Sequence, residues 1–316
     1  MKSCIFYKHK GCDILAIIEL QLEIFIIVVC GLLLAKRGVI DISTRKKMTD
    51  IVIDLILPCA IIKSFAMKMT MDIIKGTIVV FFISVIIQLF YSALNRFLYN
   101  RFDESQALIM KYATIVSNAG FMGLPIVESV YGTQGLLYAS IALIPQRIFM
   151  WSSGLSLFTK TDKKSVIKTL AVHPCIIAVY IGFIVMGLES MGVSLPGFVM
   201  KTVNAIGGCT TAISMLIIGA ILSDVEWKEL VEKVGLYFSF IRLLVIPIVI
   251  YCVLTLCHVD SLVVGVSVLL SAMPAGSTSA MLAQKYDKDV KFASKLVVIS
   301  TVLSLFTLPI ISLIVS

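Results

Sequence analysis

Charge is what this sequence has least of. Asp, Glu, Lys and Arg make up 15% of its 316 residues, against roughly a quarter in an ordinary soluble domain. Long polar stretches are missing as well, so no separate soluble signalling domain is expected within it. None of the eight cysteines forms a Cys-x-x-Cys pair. Cys30, Cys59, Cys175, Cys209 and Cys252 fall inside apolar runs, where cysteine serves as a small hydrophobe. Cys4 and Cys12 in the tail could pair, but nothing requires it. Cys257 with His258 comes nearest to a metal-ligand cluster and lacks further partners, so no metal and no cofactor is expected. HExxH, GxSxG and paired aspartates within apolar runs are all absent, which argues against an enzyme.

What fills the sequence instead is apolar residue, 59% of the total, with a mean hydropathy of +1.02. Runs of about 20 such residues, the length a helix needs to cross a bilayer, repeat from end to end. An outer-membrane barrel would alternate over segments of about ten. The expected class is therefore an all-α polytopic membrane protein. Ten spans are expected, near 14–35, 46–67, 72–95, 106–130, 134–159, 166–188, 196–223, 231–256, 261–284 and 292–315. Residues 1–13 read as a tail rather than a signal peptide, because the following run is long and carries Glu19 and Glu23.

The net charge of +8 is spread through short loops and encodes orientation, not nucleic-acid binding. Loops after the odd-numbered spans hold seventeen basic residues, while those after even-numbered spans hold Lys68 and Lys75 alone. Basic loops stay in the cytoplasm, so both termini are expected outside a plasma membrane. Lys2, Lys8 and Lys10 in the tail run against that rule.

Two stretches interrupt the apolar pattern: SNAGFMGLP at 117–125 and AMPAGSTSA at 272–280. Proline has no N–H and clashes with the carbonyl four residues back, so Pro125 should free the carbonyl of Phe121 and Pro274 that of Leu270. In hydrocarbon such a break persists only when buried in protein or lining a watery cavity. The two prolines lie 149 residues apart, and the same offset sets Pro58 of DLILPCA on Gly207 of AIGGCTTA, beside Gly208. Five spans per half must run in opposite senses, giving inverted repeats at 14–159 and 166–316 joined by KTDKKS at 160–165. Paired broken helices point to a secondary transporter with its site at the breaks.

NAGFMGLPIVESVYG (118–132) resembles the fourth-helix signature of the auxin efflux carrier family, which includes bacterial malate and malonate permeases and, more distantly, plant PIN exporters. AMPAGSTSAMLAQKYDKD (272–289) and ISTVLSLFTLPIISL (299–313) are similar to its ninth and tenth helices. IRLLVIPIV (241–249) resembles its eighth and LILPCAIIKSF (55–65) its second. The resemblance implies ten helices as two inverted five-helix repeats, with broken helices 4 and 9 crossing near the bilayer centre. It also implies a scaffold part, a transport part and carriage of small organic anions.

Asn118 shares a face with Pro125 and can meet a carboxylate or repair the break. Gly120 and Gly123 permit a close helix crossing. Gly276, Ser277 and Thr278 begin a half-helix after Pro274, where hydroxyls either cap the helix or bind an anion. Arg147, halfway along its apolar run, must face an anion, a cavity or an internal carboxylate, with Asp54 the obvious candidate. Arg242 belongs to an Arg…Pro pattern and is given a scaffold or gating role. Asp54, Glu19 and Glu23 are the candidates for proton or sodium coupling, and Lys63 is expected to snorkel. The partners expected are a small carboxylate such as malate, the bilayer and, in one arrangement, a second copy of the chain. A bile-acid-type sodium symporter and a membrane anion sensor are the alternative functions.

Overall fold

The computed structural model describes residues 12–66, 70–158, 171–223 and 232–315. Most of the expected tail and the whole 160–165 link lie outside the described residues, as does Cys4. Among the described residues there is no strand, only one isolated β-bridge. The helices are α1 (Cys12–Lys36), α2 (Ile42–Ile51), α3 (Leu57–Phe65), α4 (Met71–Leu98), α5 (Glu104–Ile115), α6 (Leu124–Phe149) and α7 (Pro174–Ser190). They continue with α8 (Gly197–Gly207), α9 (Thr210–Leu222), α10 (Lys233–Phe240), α11 (Ile246–Leu256), α12 (Ser261–Ser271), α13 (Thr278–Lys285) and α14 (Val290–Val315).

Among the described residues, four stretches are long and apolar enough to cross a membrane: Met71–Leu98, Gly197–Leu222, Lys233–Leu256 and Val290–Val315. Their outer faces carry large apolar side chains such as Ile78, Phe82, Ile86, Phe240, Val253 and Phe306. A water-soluble protein rarely exposes so much continuous apolar surface, whereas lipid favours it. The chain is a multi-pass helical membrane protein.

Prolines shape the helices in a recurring way. Pro58, Pro125 and Pro247 each occupy the second position of an α-helix that follows a π-helical turn, over Val52–Ile56, Ala119–Gly123 and Ile241–Val245. In each case the residue before the proline donates to the carbonyl five back: Leu57 to Val52, Leu124 to Ala119, Ile246 to Ile241. The wider turn makes room where the proline ring would otherwise meet the carbonyl four residues back. Near the end of the expected fourth span, Gly132 has φ 65° and turns the chain inside α6. A side chain there would be strained, so glycine is required.

Packing sorts the helices into two groups. The first comprises α1, α2, α3, α7, α8 and α9; the second comprises α4, α5, α6 and α10 to α14. Within the first, α1 and α9 meet backbone to backbone through Gly31 and Gly219. Between the groups, Lys63 on α3 donates to Glu128 on α6 at 2.8 Å. Lys63 therefore does not snorkel; it takes a carboxylate partner that the apolar sequence context does not advertise. Both side chains are mostly buried, at 28% and 17% exposure, so the pair should exceed the 0–1 kcal/mol typical of surface bridges. Lys63→Met and Glu128→Gln are each expected to lower stability by about 1–3 kcal/mol, with the double variant losing less than the sum. Simple additivity in a double-mutant cycle would remove the pair from this account.

Candidate functional site at the meeting of two interrupted helices

Two of the interruptions inside the described apolar body meet each other, Val116–Asn118 after α5 and residues 272–277 after α12. The two interruptions lie against each other as an antiparallel pair, with Ser117 bridged to Ala275. Asn118 donates its backbone N–H to the Pro274 carbonyl at 2.8 Å, and Gly276 donates to the Val116 carbonyl at 3.1 Å. Side chains complete the pairing: Gln146 Nε2 donates to the Ser117 carbonyl at 3.0 Å, and the Ala275 N–H donates to Ser300 Oγ at 3.1 Å. This satisfies the rule that non-helical backbone in a membrane must find protein partners. Gln146 and Ser300 were not legible as site residues, because their role depends on a break supplied by another helix.

The first break is displaced from where proline alone would set it. Pro125 lies buried seven residues after Asn118, and the π-helical turn absorbs it. Pro274 lies inside the second break. The two breaks are therefore not aligned proline on proline.

Asn118 is partly buried, and its side-chain amide makes no hydrogen bond among the described residues. Its backbone carbonyl accepts from Met122 at 2.9 Å. Gly120 and Gly123 follow in the π-helical turn; a Cβ on Gly123 would come 3.0 Å from Leu270 and 3.2 Å from Met273. Across the interface Gly276 is buried, Ser277 is exposed, and Ser277 makes no cap hydrogen bond at the start of α13. Thr278 Oγ1 accepts from the Tyr112 hydroxyl at 3.2 Å. Neither hydroxyl caps the helix, so the capping alternative is not the one adopted.

Arg147 sits beside Gly120, where a Cβ would come 3.4 Å from Nη2. It contacts His173 through Nη1, 2.5 Å from Nε2 and 3.3 Å from Nδ1. It does not pair with Asp54, which lies exposed in the π-helical turn before α3. Glu19 and Glu23 lie exposed on α1. Pro58 opens α3 close to α8, where a Cβ on Gly207 would come 2.9 Å from Ala60 Cα; Gly208 follows as the end of that helix.

Arg242 is the residue whose surroundings the sequence least foretold. It is 1% exposed, and its Nε and Nη1 have no hydrogen-bond partner. Its guanidinium carbon lies 4.9 Å from the centre of the Tyr91 ring. Such a contact is worth roughly 0.5–2 kcal/mol, against a desolvation penalty of several kcal/mol for a buried ion. The ring therefore leaves the charge under-compensated. Gln146 turns toward the same space while Arg147, its neighbour, faces Gly120 and His173. Two arginines thus flank the paired breaks, and among the described residues neither bonds a carboxylate.

An all-helical, lipid-facing chain with paired interrupted helices and internal arginines that meet no described carboxylate belongs, as a class, with membrane transporters. The model of the membrane transport protein family matches residues 16–169 and 162–312, and the chain belongs to that family, the auxin efflux carrier family of the sequence resemblance. Similar proteins include an uncharacterized transporter of Methanocaldococcus jannaschii, 22% identical over 297 residues, covering 92% of this chain and 96% of the relative. Another from Methanothermobacter thermautotrophicus is 24% identical over 301 residues, covering 94% and 97%. The uncharacterized transporter YfdV of Escherichia coli K12 is 22% identical over 279 residues, covering 84% and 87%. The protein is a membrane transporter and not an enzyme.

Proposed function

We propose that this transporter is a secondary carrier for a small organic anion, such as malate or a related carboxylate, working by alternating access where the interrupted helices meet. The observation that carries the reading is the pair of breaks, hydrogen-bonded to each other and flanked by Arg147, which among the described residues has no carboxylate partner. In it Asn118, Gly276, Ser277, Thr278 and Arg147 meet the cargo, while Pro125 and Pro274 shape the break. Gly120, Gly123, Pro58, Gly207, Gly208 and Arg242 let the packed helices move.

The same reading takes the ten spans as two inverted five-helix repeats, 14–159 and 166–316, in the plasma membrane with both termini outside. Two facts support the two-half plan. The family match divides into two stretches at about the chain midpoint. The stretches paired by sequence also touch, Ser117 with Ala275 and α3 with Gly207. Coupling falls to protons or sodium, with Asp54, Glu19 and Glu23 as the acidic candidates; a homodimer is compatible with this plan. A sodium symporter of the bile-acid type would want carboxylates at the breaks, and no described carboxylate hydrogen-bonds there.

The test is uptake of radiolabelled malate into proteoliposomes, with and without an imposed pH or sodium gradient. Saturable uptake is expected, and Asn118→Ala should lower its rate about ten-fold or more, a change of about 1.4 kcal/mol or greater. If folded protein moves none of malate, malonate, succinate or an aromatic acid under any gradient, the carrier reading fails.

A further inference from the structure

We infer that the cavity behind the paired breaks is a binding site for a small monovalent anion, held by Arg242 and distinct from the cargo's contacts at Asn118. The cavity lies among α4, α6, α12 and the π-helical turn that carries Arg242, and Ser117 of the first break forms part of its wall. It offers about 30 Å³ to the centre of a water-sized sphere. A single water needs roughly 10–15 Å³ by that measure. The space is of a size for two or three heavy atoms, which suits a halide ion or formate.

Its lining is rich in hydrogen-bond donors without partners. Arg242 is 1% exposed with Nε and Nη1 unpaired, the Gln88 side chain makes no hydrogen bond, and the Ser267 hydroxyl makes none. Ser84 and Ser271 spend their protons on the carbonyls of Ala142 and Val268. Among the described residues no carboxylate lines the space. A guanidinium fixed in apolar surroundings needs a counter-charge or must be hydrated, and every unpaired group except the Gln88 oxygen can donate. Turning the Gln88 amide over presents its NH₂ to the same point, since the two ends of an amide are interchangeable in shape. The occupant complementary to this set is an anion.

The site does not depend on the carrier reading, because binding can be measured on protein that transports nothing offered to it. Two sources share the chemistry, a halide and a free carboxylate as small as formate. The test uses full-length protein in detergent with sodium gluconate as background at constant ionic strength, titrated with sodium chloride in one arm and sodium formate in the other. Saturable stabilisation is expected, with the unfolding temperature rising by about 3 °C or more once the anion is well above its Kd. Chloride alone acting identifies an inorganic ion, and formate acting as well identifies a site that also takes the smallest free carboxylate. Arg242→Met should abolish both shifts while unfolding in gluconate no lower than the parent, because it removes a buried unpaired charge. Should that variant fail to fold, crystals of the parent grown in bromide should show an anomalous peak within hydrogen-bond reach of Arg242. Equal unfolding temperatures in gluconate, chloride and formate, or shifts that persist in Arg242→Met, or no bromide peak, would overturn the assignment.

Discussion

Gly219→Val should leave almost no folded protein in the membrane. A Cβ on Gly219 of α9 would overlap the Val28 carbonyl oxygen of α1 and come 2.8 Å from the Leu32 nitrogen. On the facing helix, a Cβ at Gly31 would overlap the Leu216 carbonyl oxygen and lie 2.8 Å from its carbon. Every atom met is backbone within a helix, so no side-chain rotamer can relieve the collision. The helices would have to separate along their shared length, losing the dispersion contacts that hold them together where lipid supplies no hydrophobic force. Overpacking usually costs about 1–3 kcal/mol. Backbone-to-backbone collision should exceed that, against a total stability of only about 5–15 kcal/mol. The measurement is the monodisperse yield after detergent extraction, with Gly187→Val as control, since a Cβ there meets nothing within 4 Å. Equal yields for the two variants would mean that α1 and α9 do not pack as described.

Gly276→Val should separate folding from transport. A Cβ at Gly276 would sit 3.2 Å from the Val116 carbonyl oxygen, 3.3 Å from Thr278 Oγ1 and 3.4 Å from the Ser117 carbonyl oxygen. These contacts are tight without overlapping, so alanine needs only a small adjustment. The two γ-carbons of valine would press the breaks apart and strain the bond from the Gly276 N–H to the Val116 carbonyl. The rest of the helical packing lies elsewhere, so extraction yield should stay near the parent's. Malate uptake should fall about ten-fold or more, the equivalent of at least about 1.4 kcal/mol in the transition state. Loss of yield in parallel with uptake would reduce the meeting of the breaks to a structural role.

How far the sequence foretells this arrangement differs from residue to residue. Helix and membrane follow directly from long apolar runs broken by short basic loops. The interruptions were legible because glycine, proline and small polar residues replace leucine and valine at 117–125 and 272–280. The exact break was not, since a π-helical turn lets Pro125 begin a helix instead of ending one, as it does at Pro58 and Pro247. Local spacing cannot report that choice. Arg147 was legible as an anomaly, but its neighbour His173 comes from the N-terminal cap of α7 in the other helix group, and Asp54 does not bond it. Arg242 shows the limit most plainly. The Gln88, Tyr91 and Ser267 around it come from helices distant in sequence, and only their packing reveals that the charge has a cavity and, among the described residues, no carboxylate partner. Gly31 and Gly219 likewise look like small residues in apolar runs until the facing backbones are known.

The central claim is that cargo occupies the meeting point of the two interrupted helices, and Ser277 offers the most direct test. It is exposed immediately after the second break, and its hydroxyl caps nothing. In a chain with its native cysteines replaced, the Ser277→Cys variant should react with a membrane-impermeant thiol reagent. Malate should slow that labelling, with half-protection at the concentration that gives half-maximal uptake. Labelling at an unchanged rate in saturating malate, from protein that still transports it, would place the cargo elsewhere and contradict the account.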